Sequence, residues 1–328
     1  MSTNAGVAVC IVTHDSAADL QGCLEAVAAL DPTPAEVAIV DCASSDGSVE
    51  AARRSASGLA GVSIEPLSAN LGFAGGMNRA VETTRSPWVL SLNPDARPAP
   101  DYVARLLARA AAAPARRVGA LTGRLLRPDG RIDACGMRLT WTWRHLDRGS
   151  GQADRGGWRR PERVFGATGA AGLFRREALL DVALDGAVFC PELHSYREDA
   201  ELAFRLQERG WEVVYEPTAV AYHVRANLPS RRRAMTAEVN RHSLKNRYLL
   251  RAYHQGGLNL LWTLPPTLLR DVGAFAWVAL RERSSAGAYG WLWHHRRQIL
   301  ARRRQIRARR TASQWAVDRW FFRSGRPL

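Results

Sequence analysis

"PWVLSLNPDARPAP", residues 87–100, joins an apolar run of strand length to Asn93-Pro94-Asp95 and then to a proline-rich exit. A short continuous apolar run bounded by turn residues reads as a strand covered on both faces, the kind found inside parallel sheets. Its end presents an amide and a carboxylate across a rigid proline. Those groups either close a turn or offer ligands at the strand's exit.

Upstream, the same alternation repeats. "VAVCIV" (7–12), "EVAIVD" (36–41) and "VSIEPL" (62–67) have strand length and composition. Between them, "DLQGCLEAVAAL" (19–30) sets Leu20, Cys23, Leu24, Val27 and Leu30 at helical spacing, and "DGSVEAARRSA" and "GGMNRAVETT" supply two more helices. Strands alternating with helices predict an α/β fold with a mostly parallel sheet flanked by helices. Ligands of such sheets sit at the carboxyl ends of the strands. The four exits carry Thr13-His14-Asp15, Asp41, Asn70-Leu71-Gly72 and Asn93-Pro94-Asp95. Polar groups at every exit suit a nucleotide, although polar loops also occur there without one.

Beyond residue 117 the pattern changes. "RVGALTGRLLRPDGRIDACG" has a Pro-Asp-Gly turn between strand-like runs and predicts a hairpin. "WTWRHLDRGSGQADRGGWRRPE" (141–162) reads as a long surface loop. "GATGAAG" (166–172) precedes a helix starting in "LFRREALL"; its small residues suit either a ligand floor or tight helix–sheet packing. "EDAELAFRLQERG" (198–210) is a helix closed by Gly210, and "WEVVYEPTAVAYHV" (211–224) reads as two strands turning at Pro217.

Four pieces in this order, "VTHDS", "VDCASSDGS", "NLGFAGGMNRA" and "LNPDA", resemble the inverting glycosyltransferases of family 2, nucleotide-sugar-dependent enzymes of the GT-A fold. "YREDAELAFRLQERGW" is similar to that family's acidic motif and "AYHV" to its late histidine, so the resemblance spans roughly residues 6–225. Within the family it points to rhamnosyltransferase-type enzymes of bacterial cell-surface glycans. The resemblance implies a catalytic domain over 1–225, with a nucleotide-sugar half to about 115 and an acceptor half from about 116.

It also implies roles. Asp199 is the general base that takes the acceptor proton, and Glu198 orients it or contacts acceptor hydroxyls. Alone, the pair would read as acids complementing a helix N-terminus, a place that lowers a carboxylate's pKa and weakens it as a base. Asp95 is a ligand for Mg²⁺ or Mn²⁺, with His223 a second contact to metal or diphosphate. Alone, Asp95 would serve equally as a turn or cap carboxylate, and His223 as a strand-end histidine. Thr13, Asp15 and Asp41 face the nucleoside, with Asp15 replacing the more usual asparagine and His14 the usual aromatic. Asn70 and Asn78 offer two-way hydrogen bonds, Gly72, Gly75 and Gly76 allow close backbone approach, and Asn93 reaches ribose or sugar. His194 and Tyr196 either face the acceptor or pack within the fold, and Trp211 reads as core.

The chain's charge is uneven. Of 46 Lys+Arg and 31 Asp+Glu, residues 225–328 hold 22 basic against 4 acidic, so that tail carries +18 and the first 224 residues −3. Residues 226–328 also hold six of eleven tryptophans. "LNLLWTLPPTLLRDVGAFAWVAL" (258–280) is apolar, but Pro265-Pro266 and Arg270-Asp271 interrupt it, predicting an interfacial or re-entrant helical hairpin. "RRQILARRRQIRARR" (296–310) adds a basic helix suited to an anionic membrane surface. Nucleic acid is the rival partner, without a recognition module to support it.

Five cysteines lack any C-x-x-C spacing and predict packed thiols in a reducing compartment. The lead "STNAG" has neither charge nor an apolar core. These features predict a cytoplasmic enzyme, peripheral on the inner face of the cell membrane. The whole reading is an inverting transferase moving L-rhamnose from dTDP-rhamnose to a lipid-linked saccharide. A nucleic-acid-binding protein and a nucleotidyltransferase are the alternatives, the latter lacking any Gly-Lys phosphate loop near the first strand.

Overall fold

The computed structural model describes residues 6–112, 116–225 and 236–328. The lead at 2–5, the boundary at about 115 and the junction at 226 fall outside them. The first half alternates as the pattern predicts: β1 (Val7–Thr13), α1 (Ala17–Ala28), β2 (Glu36–Asp41), α2 (Ser48–Ser55), β3 (Val62–Pro66), α3 (Gly72–Thr83) and β4 (Trp88–Leu92). Strands β3, β2, β1 and β4 lie side by side in that order, all parallel. All seven residues of β1 are buried, as a strand covered on both faces requires. Val7, Val9 and Ile11 pack with α1, while Cys10 and Val12 pack with α3 on the opposite face.

The second half extends this sheet. β5 (Ala96–Pro98), α4 (Tyr102–Ala111), β6 (Val118–Leu126), β7 (Ile132–Ala134), β8 (Met137–Leu139), β9 (His145–Asp147), β10 (Glu162–Val164) and β11 (Ala171–Arg175) precede α5 (Arg176–Val182), α6 (Glu198–Glu208) and β12 (Glu212–His223). β6 and β7 form the predicted hairpin. β11 runs antiparallel between β4 and β6, and β12 pairs parallel with β6. The segment 211–224 is therefore one strand with a register irregularity between Tyr215 and Val220, not two strands. Because β11 runs backwards, its first residue, Ala171, faces Leu92 at the carboxyl edge of β4. The small-residue run before it thus borders the exit of β4.

The 141–162 segment is not a simple surface loop. Trp143 and Arg148 are buried, with Trp143 stacked on Phe204. All five cysteines are free and buried.

The C-terminal region is helical: α7 (Ala237–His254), α8 (Leu258–Arg281), α9 (Gly287–His294), α10 (Arg296–Arg309) and α11 (Gln314–Asp318), ending in β13 (Arg326–Pro327), which joins the sheet edge at β10. One expectation changes here. α8 is one continuous helix through Pro265 and Pro266, not a hairpin, and no described helix is long and apolar enough to cross a membrane. Some arginines of α10 bond back onto the fold. Arg302 binds Asp185 and Glu192, Arg303 the carbonyls of Ala252 and Gln255, and Arg309 those of Asp181 and Ala183. Arg310, just beyond the helix, pairs with Glu208. Arg296, Arg297, Arg304, Arg307 and Arg309 are exposed all the same. The basic run thus combines a seam of bonds to the neighbouring segments with an exposed basic face.

Candidate active site

Asp95 is the third residue after the end of β4, and β5 then pairs antiparallel with the end of β12, Ala96 opposite His223. That register sets Asp95 Oδ1 3.1 Å from His223 Nε2. On the other side of the ring, Nδ1 lies 2.8 Å from Asp133 Oδ2 on β7. Arg225 donates to Asp133 at 3.0 Å and pairs with Asp147 of β9 at 2.7 Å. Arg127 reaches Asp133 at 3.2 Å.

Burial acts against charge on His223, but the hydrogen bonds and charges of Asp133 and Asp95 prevail and hold it near 9. Burial likewise pushes Asp133 up, and His223 with Arg225 outweighs it, holding the carboxyl at about 2. Asp95 Oδ1 and His223 Nε2 thus face each other as an oxygen and a nitrogen that can both bind a metal.

The pair fits a divalent cation in two respects. Cis ligands of an octahedral Mg²⁺ stand about 3 Å apart, the separation seen between Asp95 and His223. Asp133 on the far ring nitrogen is the carboxylate–histidine arrangement that orients a metal-binding imidazole. Among the described residues, no group of three or more His, Cys, Asp or Glu could hold a metal by itself. The remaining ligands would have to come from diphosphate and water.

Asp199 opens α6 and meets the sheet edge through the small-residue run. Gly169 N–H donates to Asp199 Oδ2 at 3.3 Å, Ser91 Oγ donates to the Gly169 carbonyl at 2.7 Å, and Asn93 N–H donates to the Ala170 carbonyl at 3.0 Å. Residues 168–171 therefore tie the acidic helix to the Asn93-Pro94-Asp95 turn. Burial first, then the nearby charge of Asp147, raises Asp199 to about 6, outweighing the N–H groups of Gly169 and Ala200 that act to lower it. Glu198 is buried, with one oxygen lacking a hydrogen-bond partner, and burial plus the charge of Asp199 raise it well above the ordinary range.

The backbone before this pair is strained. His194, Tyr196 and Arg197 have φ of 61°, 70° and 76°, unfavourable for residues with side chains. Asn246 of α7 holds the turn, its amide nitrogen donating to the carbonyls of Leu193, Ser195 and Tyr196 at 2.7, 2.8 and 2.7 Å. His194 stacks on His242 with ring centroids 4.5 Å apart.

The nucleoside-side residues separate into two groups. Thr13 Oγ1 donates to Asp41 Oδ1 at 2.7 Å, and Ser44 N–H donates to Asp41 Oδ2 at 2.9 Å, so Asp41 binds the first two strand exits together. Asp15 accepts from Ser45 N–H at 2.8 Å and remains half-exposed. The side chain of Asn93 makes no hydrogen bond among the described residues. The others are occupied within the fold. Asn70 Oδ1 accepts from Gly72 N–H at 2.8 Å, and Asn78 exchanges two hydrogen bonds with the Phe189 backbone. The Asn78 amide, expected at the nucleoside, thus clamps α3 to the 189 segment. Gly72 has a φ of +68°, and a Cβ on Gly76 would meet Val12 at 2.6 Å, so α3 needs glycine there to sit on β1. Gly75 faces Leu71 of its own helix turn.

Sequence reading missed Asp133, Asp147, Arg225 and Asn246. An acid inside the apolar strand segment "RIDACG" was the available signal for Asp133. Arg225 directly follows the late-histidine motif, while Asp147 and Asn246 carried no local signal.

The model of glycosyl transferase family 2 matches residues 8–182. Two strains of Mycobacterium tuberculosis (CDC 1551 / Oshkosh and H37Rv) have an N-acetylglucosaminyl-diphospho-decaprenol L-rhamnosyltransferase 28% identical over 290 residues, covering 79% of this chain and 89% of the relative. Among solved structures, GalNAc-T7 with UDP, GalNAc and Mn²⁺ superposes with a TM-score of 0.65 at 14% identity, over 97% of this chain and 57% of that one. This chain thus spans little more than half of GalNAc-T7. The mannosyltransferase PcManGT of Pyrobaculum calidifontis, with GDP-Man and Mn²⁺, gives 0.55 at 19% identity over 96% and 84%. Residues 1–349 of S. aureus TarS with UDP give 0.51 at 15% over 97% and 90%. The chain belongs to glycosyltransferase family 2 and has the GT-A fold. It is a nucleotide-sugar glycosyltransferase.

Proposed function

We propose that this family 2 glycosyltransferase inverts the sugar it transfers, uses Mg²⁺ or Mn²⁺, and moves L-rhamnose from dTDP-rhamnose to a lipid-linked saccharide. The observation that carries the reading is the strap of residues 168–171, which brings the Asp199 carboxylate and the Asp95–His223 pair to one sheet edge. The rhamnosyl donor and lipid acceptor are supported by the 28% identical mycobacterial relative.

In this reading Asp199 takes the proton of an acceptor hydroxyl while its oxygen attacks the anomeric carbon. The bond from that carbon to the diphosphate oxygen breaks, and the nucleoside diphosphate leaves from the opposite face. One displacement inverts the centre. Asp95 and His223 would hold the cation, which supplies positive charge to the departing diphosphate. Asp133 keeps the imidazole oriented, and Arg225 restrains Asp133 and Asp147. The Asn93 amide reaches the donor's ribose or sugar, while Thr13, Asp15 and Asp41 shape the nucleoside side. Asn70, Gly72, Gly75 and Asn78 support that wall from within the fold. Glu198, carrying a proton, offers a hydrogen bond to the acceptor or to Asp199.

Catalytic residues 1–225 and the helical region 226–328 act together at an anionic membrane surface. Leu261, Leu268, Leu269, Val272, Phe275 and Leu280 are each more than half exposed along α8, a stripe suited to lying in the interface of the inner leaflet. The test is incubation with dTDP-rhamnose and other nucleotide sugars, Mn²⁺, and a short-chain lipid-diphosphate saccharide. Release of dTDP with formation of a rhamnosylated lipid is expected. Turnover confined to another donor would overturn the rhamnosyl assignment, and undiminished turnover in EDTA would overturn the metal.

A further inference from the structure

A cavity of about 250 Å³ opens between α7 and α8, with Arg197, Arg247, Arg270, Ser243, Ala274 and Trp277 on its walls. One buried water needs only about 10–15 Å³, so the space admits a larger group. Three arginines line it, and Arg197 also meets His145 Nδ1 at 3.3 Å. The adjacent acid, Asp271, is paired with Arg251 and stands 3.7 Å from Arg247. Arg270 donates to the Thr142 carbonyl at 2.8 Å and pairs with no carboxylate among the described residues. Arg247 is 7% exposed, and its Nε has no hydrogen-bond partner. Burial, then the charges of Arg247, Arg197 and Arg144, depress Arg270 to about 9. Arg247 is buried and Arg197 and Arg270 are half-buried, so like charges crowd this space, and an anion in the cavity would offset their repulsion.

Two neighbours define that anion. Arg197 stands two residues before Asp199, so their Cα atoms are at most about 7 Å apart, roughly the span of one sugar ring. At the mouth, Trp277 is 41% exposed and continues into the apolar stripe of α8. An anionic group here has a hydroxyl-activating carboxylate on one side and a lipid-compatible surface on the other.

We propose that the Arg197–Arg247–Arg270 cavity binds the phosphate or diphosphate linking the acceptor sugar to its lipid. The sugar then reaches Asp199, and the lipid chain lies along α8. The inference rests on the glycosyltransferase reading and sharpens it: the acceptor is one sugar on a lipid phosphate. A longer saccharide would carry its phosphate out of reach of Arg197.

The full-length chain is titrated with farnesyl diphosphate, farnesol, inorganic pyrophosphate and phosphatidylglycerol vesicles. Arg270→Gln removes one cation, and Ala274→Phe fills the cavity while keeping every arginine. Stabilisation by dTDP reports that each variant is folded. Farnesyl diphosphate and, more weakly, pyrophosphate should bind the natural chain, with affinity falling about tenfold or more in both variants, the size expected for a charged hydrogen bond. Farnesol binding should be unchanged. Unchanged farnesyl diphosphate affinity in both folded variants overturns the site. Loss of vesicle binding with farnesyl diphosphate retained also overturns it, because the cavity would then hold a bulk headgroup. If the variants lose farnesyl diphosphate while the natural chain turns over no nucleotide sugar, the site stands and the transfer reading falls.

Discussion

Asp95 Oδ1 and His223 Nε2 stand 3.1 Å apart because β5 is registered on the last residues of β12, and Asp133 occupies the opposite ring nitrogen at 2.8 Å. The carboxylate behind the ring fixes both its orientation and its basicity. Removing such a partner typically weakens metal binding by about 10–100-fold. Asp133→Asn should therefore raise the Mn²⁺ concentration for half-maximal activity by roughly that factor, with kcat recovering at saturating metal. A variant whose activity stays low at any Mn²⁺ concentration would show that Asp133 does something other than support His223.

The raised Asp199 predicts an acid limb. Its pKa is shifted up to about 6 by burial and by Asp147, so the proton-accepting carboxylate is depleted as pH falls through that value. With saturating donor, kcat/KM for the acceptor should fall about tenfold per pH unit below 6. Asp147→Asn removes a neighbouring negative charge and should move the limb to lower pH. Asp199→Asn should lower kcat by about 10²–10⁴ while dTDP affinity stays the same. A limb that does not respond to Asp147→Asn would assign the titration to another group.

Much of this site was legible one residue at a time but not in its connections. The alternation through residue 92 was enough for the parallel half, because buried parallel strands leave apolar runs that helical spacing separates. β11 was not, since "AGLFR" passes into α5 without a turn residue. Asp95 and His223 stood out by motif, whereas their pairing depends on β5, a three-residue strand ending in proline. For α10 the charge run was plain and its partners were not. An arginine looks the same in sequence whether it meets a lipid phosphate or the carbonyl of Ala183.

Asn246 ties the C-terminal helices to the turn that precedes Glu198 and Asp199. One amide nitrogen satisfies three carbonyls of the strained turn that leads into Glu198 and Asp199. Asn246→Leu leaves those acceptors without a donor, and each buried group so stranded costs about 1–3 kcal/mol. The variant should melt at a lower temperature and lose kcat more than donor affinity. Its nucleotide wall lies on the other half of the sheet and should still bind dTDP. Equal losses in dTDP affinity and kcat would point to general unfolding instead.

A chain ending at residue 225 should not fold as an independent catalytic domain. His254 is buried between Glu201 and Glu208, Arg310 pairs with Glu208, and Phe204 packs with Trp143, which meets Phe321. Truncation would expose that aromatic cluster and strand Glu208 without either cationic partner. Breaking a buried ion pair by removing one side costs about 3–5 kcal/mol, a large part of a domain's stability. The expected outcome is an aggregating fragment, or one lacking a cooperative unfolding transition by circular dichroism. A soluble 1–225 fragment that unfolds cooperatively and binds dTDP like the full chain would show that the helices are an appendage, and the arginines of α10 that bond back onto the fold would then contribute little to it.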